Sequence, residues 1–268
     1  MNFQASARGL GWRPDDPSIV QHELVSKHLS NLVGAMAPVR APVLNYTPLL
    51  DKIPDQRNTS SCVGHAFATA IYLTAKLQGF DIPRPSAKAI YDFARGEDQP
   101  YVHLQDDGCR PLAAIRCLVD KGMVSDADWP ILFHPEGMSN INVRPPIDVY
   151  QEALAAKVGD WYRIAAGPGA SALIDHALAR GYCPVFAMPV DHEYQWLQGE
   201  KIYEGRKGAS LGGHMQAIAG KGDGYKMIVT SWGATHGDYG VVKIANDYID
   251  SGECTDIIVC TVVPRLVD

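Results

Sequence analysis

Cys62 stands between a polar, turn-forming run and a run of small and apolar residues that favours a buried helix. Ser60 or Ser61 would cap that helix, because a serine hydroxyl accepts from the free backbone N–H groups of a first turn. A thiol in the first turn lies where the helix dipole favours an anion, so it ionises more readily and becomes a better nucleophile. Gln56, six residues earlier, could turn its amide N–H towards the same point and stabilise an oxyanion.

Three further sequence blocks follow Cys62. Residues 211–220 (LGGHMQAIAG) carry His214 after two glycines, residues 229–233 read VTSWG, and residues 239–244 read YGVVKI. Together with a glutamine six residues before a helix-opening cysteine, this set resembles the papain-like cysteine peptidases, especially their bacterial and viral branch. The resemblance covers roughly residues 44–262, and the blocks are specific as a set, whereas any one of them alone would be weak.

The resemblance implies a chemical role for each of these residues. Cys62 would be the nucleophile and His214, 152 residues later, the base, at a separation close to the ~130–150 residues of such chains. An imidazolium beside the thiolate lowers the thiol pKa and can then protonate the leaving amine. Gln56 and the Cys62 backbone N–H would hold the oxyanion, and Gly213 would allow close backbone approach beside His214.

The third member of the site departs from the family pattern. The family places an asparagine sixteen residues after the histidine, and this chain has Thr230 there, followed by Ser231, Trp232 and Gly233 as in the family. A threonine hydroxyl can also accept the ring N–H, but it is shorter and its own donor must find a partner. We expect slower rather than absent catalysis, with Trp232 shielding the hydrogen bond from water.

A two-lobed frame is needed to bring these residues together. The resemblance implies an α+β, papain-like two-lobed fold: a helical left lobe over about 44–146 and an antiparallel β right lobe over about 147–262, with the active site in the cleft between. Residues 1–43 would form an arm on the domain surface or a short prosegment that blocks the cleft, with an amphipathic helix over 19–32. Residues 263–268 would be a C-terminal tail.

Local patterns place helices mainly in the first half and strands in the second. Ser86 would cap the second helix. A loop over 191–211, with Trp196, could form one wall of the substrate cleft. The predicted helices cover residues 62–77, 85–95, 112–121, 148–158 and 171–180, and the predicted strands cover 161–165, 183–190, 213–220, 225–231, 239–244 and 256–262.

Composition limits the classes of protein to consider. A 46% hydrophobic and 20% charged content is ordinary for a soluble globular chain. The net charge of −6, without a long basic run, argues against nucleic acid or an anionic membrane as the main partner. We find neither a membrane-spanning run of about 18 apolar residues nor a secretory signal. The expected location is cytoplasmic, with association with a virion as an alternative.

Cysteine and histidine spacing indicates neither disulfides nor a metal site. We expect buried free thiols at four cysteines that lie in apolar or helical surroundings: Cys109, Cys117, Cys183 and Cys260. The cysteine that secreted relatives carry shortly before the nucleophile is absent, which agrees with a reduced compartment. No metal and no cofactor are expected, because four histidines stand apart from acidic or cysteine clusters: His103, His134, His192 and His236.

The predicted function is thiol-dependent hydrolysis of a peptide bond through a Cys62 acyl-enzyme, with a protein or peptide as substrate. One alternative is a catalytically impaired binding or structural module of a larger assembly, which Thr230 favours. Another keeps the thiol chemistry on a different bond, as an amidase, a transglutaminase-type acyl transferase or a peptidoglycan-cleaving enzyme. The joint presence of Gln56, Cys62 and His214 favours an enzyme, and the Ser-Trp-Gly motif favours a peptidase.

Overall fold

The computed structural model describes residues 8–16, 43–98, 105–153 and 157–263. In these residues there are seven α-helices: α1 (Cys62–Leu77), α2 (Ala87–Asp98), α3 (Pro111–Asp120), α4 (Ile147–Ala153), α5 (Ala170–Ala179), α6 (His192–Gln195) and α7 (Asn246–Asp250). The same residues form eight strands: β1 (Leu44–Asn45), β2 (Lys157–Ile164), β3 (Val185–Val190), β4 (Ile202–Tyr203), β5 (Gly212–Gly222), β6 (Tyr225–Val229), β7 (Val241–Ala245) and β8 (Thr255–Val263).

Some of the predicted features fall on residues that the structure does not describe. The helix expected over 19–32, His103 and residues 264–268 of the tail expected over 263–268 lie outside the described residues. Val263, the first residue of that expected tail, ends β8. Among the helices of the described ranges, none combines the length and the apolar character that crossing a membrane requires.

Helix α1 is buried on nearly every face, as its run of small and apolar residues predicts. It begins at Cys62 and ends at Leu77, which confirms the predicted bounds, and Gly79 follows in the left-handed region at φ 78°. A Cβ at Gly64 would lie 2.2 Å from the Ala87 carbonyl oxygen, so glycine permits α2 to pack directly on α1. The helix that carries Cys62 is therefore fixed by close backbone contact.

Helix α2 begins at the predicted cap and carries a buried charge network. The Ser86 hydroxyl accepts from the Ala89 backbone N–H at 2.9 Å. The Asp92 carboxylate accepts from Lys88 Nζ at 2.5 Å and from Arg95 Nη2 at 2.7 Å, and all three side chains are buried. Buried charges persist only when they are paired in this way, so the three side chains act as one network on α2.

The strands form a single, mainly antiparallel sheet. Its order is β2-β8-β3-β5-β6-β7-β4, and β1 pairs with β5 beside this path. The pairing of β4 with β7 is parallel, and the other paired strands run antiparallel. Because β1 lies early in the chain, a short piece of the expected helical half belongs to the sheet of the other half.

Two local predictions were wrong. The helix expected over 148–158 ends at Ala153, and the chain is already extended at Lys157, because β2 pairs with β8 from Lys157 opposite Val263 onwards. Long-range pairing here overrides the helix propensity of the local sequence. The segment 191–211, expected to be a loop, contains helix α6 and strand β4.

Helix α1 packs against the middle of the sheet, along β5. Both elements belong to one hydrophobic cluster, which includes Val63 and Phe67 from α1 and Ala217 and Ile218 from β5. The two elements with the candidate catalytic residues are therefore held by the core itself.

Asp106 holds the loop that leads into α1. One carboxylate oxygen accepts from the Ser60 N–H at 2.9 Å and from the Tyr91 hydroxyl at 2.9 Å, and the other accepts from Ser60 at 3.1 Å. Tyr91 in turn accepts from the Gly108 N–H at 2.9 Å. One carboxylate thus ties α2 to the loop that immediately precedes Cys62.

We predict that Asp106→Ala lowers the free energy of unfolding by about 2–4 kcal/mol, because it leaves two enclosed donors without an acceptor at roughly 1–3 kcal/mol each. The measurement is urea denaturation. The matched control is Asp107→Ala, whose more exposed carboxylate lies 4.0 Å from Arg13 and should contribute less than about 1 kcal/mol. Equal destabilisation by the two variants would contradict this role for Asp106.

Candidate active site

Cys62 is the first residue of α1, and its side chain is fully buried. The expected serine cap is wrong. Ser61 occupies the N-cap position but makes no side-chain cap hydrogen bond, and its hydroxyl instead pairs with that of Thr59 at 2.7 Å. The Ser60 hydroxyl donates to the Asp106 carbonyl oxygen at 2.9 Å. These hydroxyls brace the loop before α1 and leave the first turn of the helix facing the cleft.

His214 lies on β5, opposite Met188 of β3, and it is also fully buried. The packing of α1 on β5 brings the Met215 backbone within hydrogen-bonding reach of the Cys62 sulfur. The structure therefore brings together Cys62 and the strand residue next to His214, which the sequence separates by more than half of the chain.

Burial opposes the expected ion pair between Cys62 and His214. Burial raises the pKa of the Cys62 thiol to about 11, despite opposing hydrogen bonds from the Met215 and Gly11 backbones. Burial, with His236, His65 and Arg8 nearby, holds the pKa of His214 well below its ordinary value. Loss of water around both groups therefore favours the neutral thiol and the neutral imidazole.

Gln56 joins the two halves of the site. Its amide N–H group donates to the Gly9 carbonyl at 3.1 Å and to the Thr59 carbonyl at 2.6 Å. Its amide oxygen accepts from the Ser231 hydroxyl, and its backbone N–H donates to the Ser231 carbonyl at 2.8 Å. Ser231 thus fixes the orientation of the Gln56 amide, with the N–H group directed at a carbonyl oxygen of the chain itself.

Thr230 contacts a histidine, but not the expected one. Its hydroxyl lies 3.2 Å from His236 Nδ1, and His236 Nε2 lies 2.8 Å from the Tyr194 carbonyl oxygen. Neither ring nitrogen of His214 has a hydrogen-bond partner among the described residues. The expected Thr230–His214 hydrogen bond is absent from this closed state of the site.

Trp232 stacks on His214, although the Thr230–His214 hydrogen bond that it was expected to shield is absent. The two rings stack with centroids 4.3 Å apart and an interplanar angle of 22°. The indole N–H donates to the Gly9 carbonyl at 3.1 Å, and the indole meets the His236 ring nearly edge-on at 4.9 Å. Trp232 therefore shields His214 and also contacts the N-terminal part of the chain.

The N-terminal segment, residues 8–16, lies across the site between its two halves. It makes backbone hydrogen bonds to the loop before α1, to the loop before α3 and to the start of β5. These are Gly9 N to Arg57 O at 2.9 Å, Cys109 N to Gly11 O at 3.0 Å, Arg13 N to Cys109 O at 3.2 Å and Trp12 N to Gly213 O at 3.4 Å. Both sides of the cleft thus bind the segment.

Glycines make this close fit possible. A Cβ at Gly9 would lie 1.8 Å from the Thr59 carbonyl oxygen, and a Cβ at Gly11 would lie 1.8 Å from the Ser60 carbonyl oxygen. On the other side of the cleft, a Cβ at Gly213 would lie 1.9 Å from the Trp12 ring. The segment therefore seats its backbone directly beside Cys62, and larger residues at these positions would prevent it.

A buried polar cluster anchors the far end of the segment. Arg163 of β2 forms ion pairs with both Asp15 and Asp256. The Trp12 indole N–H donates to Asp256 at 2.8 Å, and Asp15 accepts from the Leu112 N–H at 3.0 Å. Because Arg163 joins two carboxylates from distant parts of the chain, the cluster fixes the segment to strands β2 and β8 of the sheet.

A surface pocket of about 440 Å³ opens where the segment enters the cleft. Its lining includes Arg8, Asp55, Arg57, Trp196 and Trp232. Trp196, from the segment expected to form a cleft wall, is half exposed there. This part of the cleft remains open to solvent in the described residues.

All six cysteines are buried free thiols, as expected for four of them. The described residues hold no group of three or more His, Cys, Asp or Glu side chains arranged to bind a metal ion.

Sequence reasoning missed several residues of the site. His236 had been considered only as a metal ligand, because its contacts with Thr230 and Tyr194 have no local sequence signal. Trp12 did have a signal, since it follows two glycines at alternate positions. That pattern is typical of backbone that must approach another segment closely.

Comparison with protein-family models and with curated proteins finds no match. Solved structures do match. Xylellain, a cysteine protease from Xylella fastidiosa, is 22% identical over 98% of this chain and 99% of its own, with a TM-score of 0.78. Bromelain from Ananas comosus, solved with the E64 inhibitor, is 19% identical over 84% of this chain and 98% of its own, with a TM-score of 0.62.

A third match is procathepsin B from Trypanosoma congolense, 17% identical over 88% of this chain and 80% of its own, with a TM-score of 0.65. These neighbours are papain-like cysteine proteases, and this chain shares their fold. The predicted α+β, papain-like fold is thereby confirmed.

The docked N-terminal segment should control the reactivity of Cys62. At pH 7 we expect slow alkylation by iodoacetamide, because a buried thiol with a pKa of about 11 holds little thiolate. Gly9→Ala cannot seat the segment and should raise the rate at Cys62 by roughly tenfold or more, as water reaches the thiol.

The matched control is Gly96→Ala, since a Cβ there would meet nothing within 4 Å. Peptide mapping by mass spectrometry assigns the label to Cys62. Equal rates in the wild type and in both variants would show that the segment does not limit access to the thiol.

Proposed function

We propose that this chain is a thiol-dependent peptidase in which Cys62 is the nucleophile and His214 the acid–base group. The observation that carries the proposal is the meeting of the helix-opening Cys62 with the backbone of Met215, next to His214, inside a papain-like fold. A nucleophile beside a base in a cleft is the arrangement that acyl transfer requires.

The reaction follows from the roles of these two groups. After the thiol proton has passed to His214, the Cys62 sulfur attacks the carbonyl carbon of a peptide bond and forms a tetrahedral intermediate. As that intermediate collapses, the C–N bond breaks, and protonated His214 gives its proton to the leaving amine. His214 then takes a proton from water, which attacks the thioester carbon, and the acid product leaves with Cys62 restored.

Gln56 is suited to hold the oxyanion with the Cys62 backbone N–H. Its N–H group already donates to a carbonyl oxygen, that of Gly9, at 3.1 Å. Ser231 prevents the amide from rotating, because it bonds both the Gln56 side chain and its backbone. A donor fixed in advance stabilises developing negative charge without reorganisation.

We further propose that the described state is latent and that the N-terminal segment acts as an inhibitory prosegment rather than a surface arm. Support comes from its hydrogen bonds to both sides of the cleft and from the complete burial of Cys62 and His214 beneath it. Displacement or removal of the segment would admit water and substrate together. The thiol could then ionise against His214, since the desolvation that keeps both uncharged would be relieved.

A second candidate function is a binding module without catalysis. The observation that favours it is the His214 ring, which lacks a hydrogen-bond partner in the described residues, while the Thr230 hydroxyl bonds His236 instead. An unoriented base would transfer protons poorly. Epoxide labelling of Cys62 together with peptide cleavage in the opened chain would exclude this alternative.

The test uses an epoxide inhibitor of papain-like enzymes and intact-mass spectrometry. We expect one adduct on full-length Gly9→Ala, much slower labelling of the wild type, and none on Gly9→Ala with Cys62→Ala. Hydrolysis of denatured casein should follow the same order. Gly9→Ala with His214→Ala should lose most of its labelling, because no imidazolium remains to stabilise the thiolate.

Two results would count against the proposed function. Casein hydrolysis that persists without Cys62 would exclude the thiol mechanism. A Cys62 that iodoacetamide labels rapidly in Gly9→Ala, but that neither reacts with the epoxide nor cleaves casein, would indicate the binding module instead.

A further inference from the structure

His236 is a buried histidine with both ring nitrogens engaged, and it has no part in the mechanism above. Nε2 lies 2.8 Å from the Tyr194 carbonyl oxygen, and Nδ1 lies 3.2 Å from the Thr230 hydroxyl. Its ring also meets the rings of Tyr194 at 5.3 Å and Trp232 at 4.9 Å. A ring held from so many directions keeps one orientation.

These two partners determine the proton position on a neutral ring. A backbone carbonyl oxygen can only accept, so Nε2 must carry the proton that it donates to Tyr194. Nδ1 then carries a lone pair and can only accept. The Thr230 hydroxyl is therefore the donor to His236, and its oxygen retains only acceptor capacity towards other groups.

The ring is neutral near pH 7. Burial lowers the pKa of His236 to about 4, with Arg8 adding to this and the Tyr194 carbonyl opposing it. Arg8, Tyr194 and His214 are the titratable or charged groups that face it.

The pairing of β5 with β6 indicates where Thr230 lies relative to His214. Ala217 of β5 pairs with Val229 of β6. Extending that antiparallel register by one residue sets Thr230 opposite Gln216. Side chains of opposite residues lie on the same face of a sheet, and His214, two residues from Gln216 on β5, shares that face. Thr230 is therefore a diagonal neighbour of His214. Trp232 packs on the His214 ring at 4.3 Å and closes the same space.

We propose that His236 is a positioning residue for His214 and acts through Thr230. His236 accepts the hydrogen bond that the Thr230 hydroxyl donates, so the Thr230 oxygen can only accept a hydrogen bond from His214. An asparagine amide oxygen would have the same role at this position. This proposal rests on the proposed function, in which His214 becomes charged once the cleft opens. The His214 imidazolium then donates a hydrogen bond to the Thr230 oxygen. The short Thr230 side chain is sufficient to orient His214, because its own hydroxyl proton is already bonded to His236 Nδ1.

Two substitutions separate this role from a merely structural one. An asparagine oxygen can replace Nδ1 as the acceptor for Thr230 but does not reach Tyr194. A glutamine amide can replace Nε2 as the donor to Tyr194 but offers no acceptor to Thr230. Positioning through Thr230 predicts that His236→Asn keeps more activity than His236→Gln, and a structural tie to Tyr194 predicts the reverse order.

The variants are compared in full-length Gly9→Ala with a fluorogenic peptide. We expect His236→Gln to lower kcat by roughly ten- to a hundredfold with little change in KM, part of the 10²–10⁴-fold that a positioned acid–base group supplies. The alkaline limb of its pH profile should move to lower pH, because loss of an acceptor lowers the pKa of the imidazolium.

The variant Thr230→Val tests whether His236 acts on His214 through Thr230. It removes the hydroxyl and keeps the shape, so His236→Gln should cause no further loss of kcat in that background. A wild-type pH profile for His236→Gln, or losses that add independently to those of Thr230→Val, would overturn the proposal.

A measurement without turnover keeps the proposal testable if no peptidase activity is found. Ring ¹⁵N NMR of the full-length wild type should show His236 neutral at pH 7, with the proton on Nε2. A proton on Nδ1, or on both nitrogens, would overturn the proposal whatever the catalytic result. Absent cleavage with the Nε2–H form present would count against the proposed function and leave the Thr230–His236 pairing standing.

Discussion

The packing of α1 against β5 is the constraint on which the rest of the site depends. The helix lies in the core, and Gly64 lets the Ala87 backbone approach it closely. Its first residue, Cys62, is therefore set beside Met215 by the core and not by a flexible loop. Because buried core elements open least readily, we expect α1 and β5 to keep these positions if the segment above them is displaced.

Access of water controls the charge that Cys62 and His214 can carry. Beneath the N-terminal segment, Cys62 and His214 are both deprived of water, and an ion pair there would have to form without solvation. The neutral thiol and the neutral imidazole are the forms that burial favours. Under the proposed function, the same pair of residues becomes reactive once water reaches it, and the change requires no rearrangement of α1 or β5.

The environment of Thr230 shows why residue type alone is a poor guide to function. A threonine in place of an asparagine suggests a weakened site, because a hydroxyl is both donor and acceptor. Its neighbour His236, fixed by the Tyr194 carbonyl, removes that ambiguity. The role of a substituted residue therefore depends on the partner that the fold supplies for its remaining hydrogen-bonding group.

The sequence by itself determined the features that depend on neighbouring residues. It predicted the bounds of α1 from its small and apolar residues, Ser86 as a cap and most strands of the second half, because helix periodicity, capping and strand alternation are local signals. It also selected Cys62 and His214 by their motifs. Only the tertiary structure decided the charge of those two groups and the position of the N-terminal segment. Burial and long-range contacts arise only when the chain folds, so no local sequence pattern predicts them. The hydrogen bond from Trp232 to Gly9, across 223 positions of the chain, is one example.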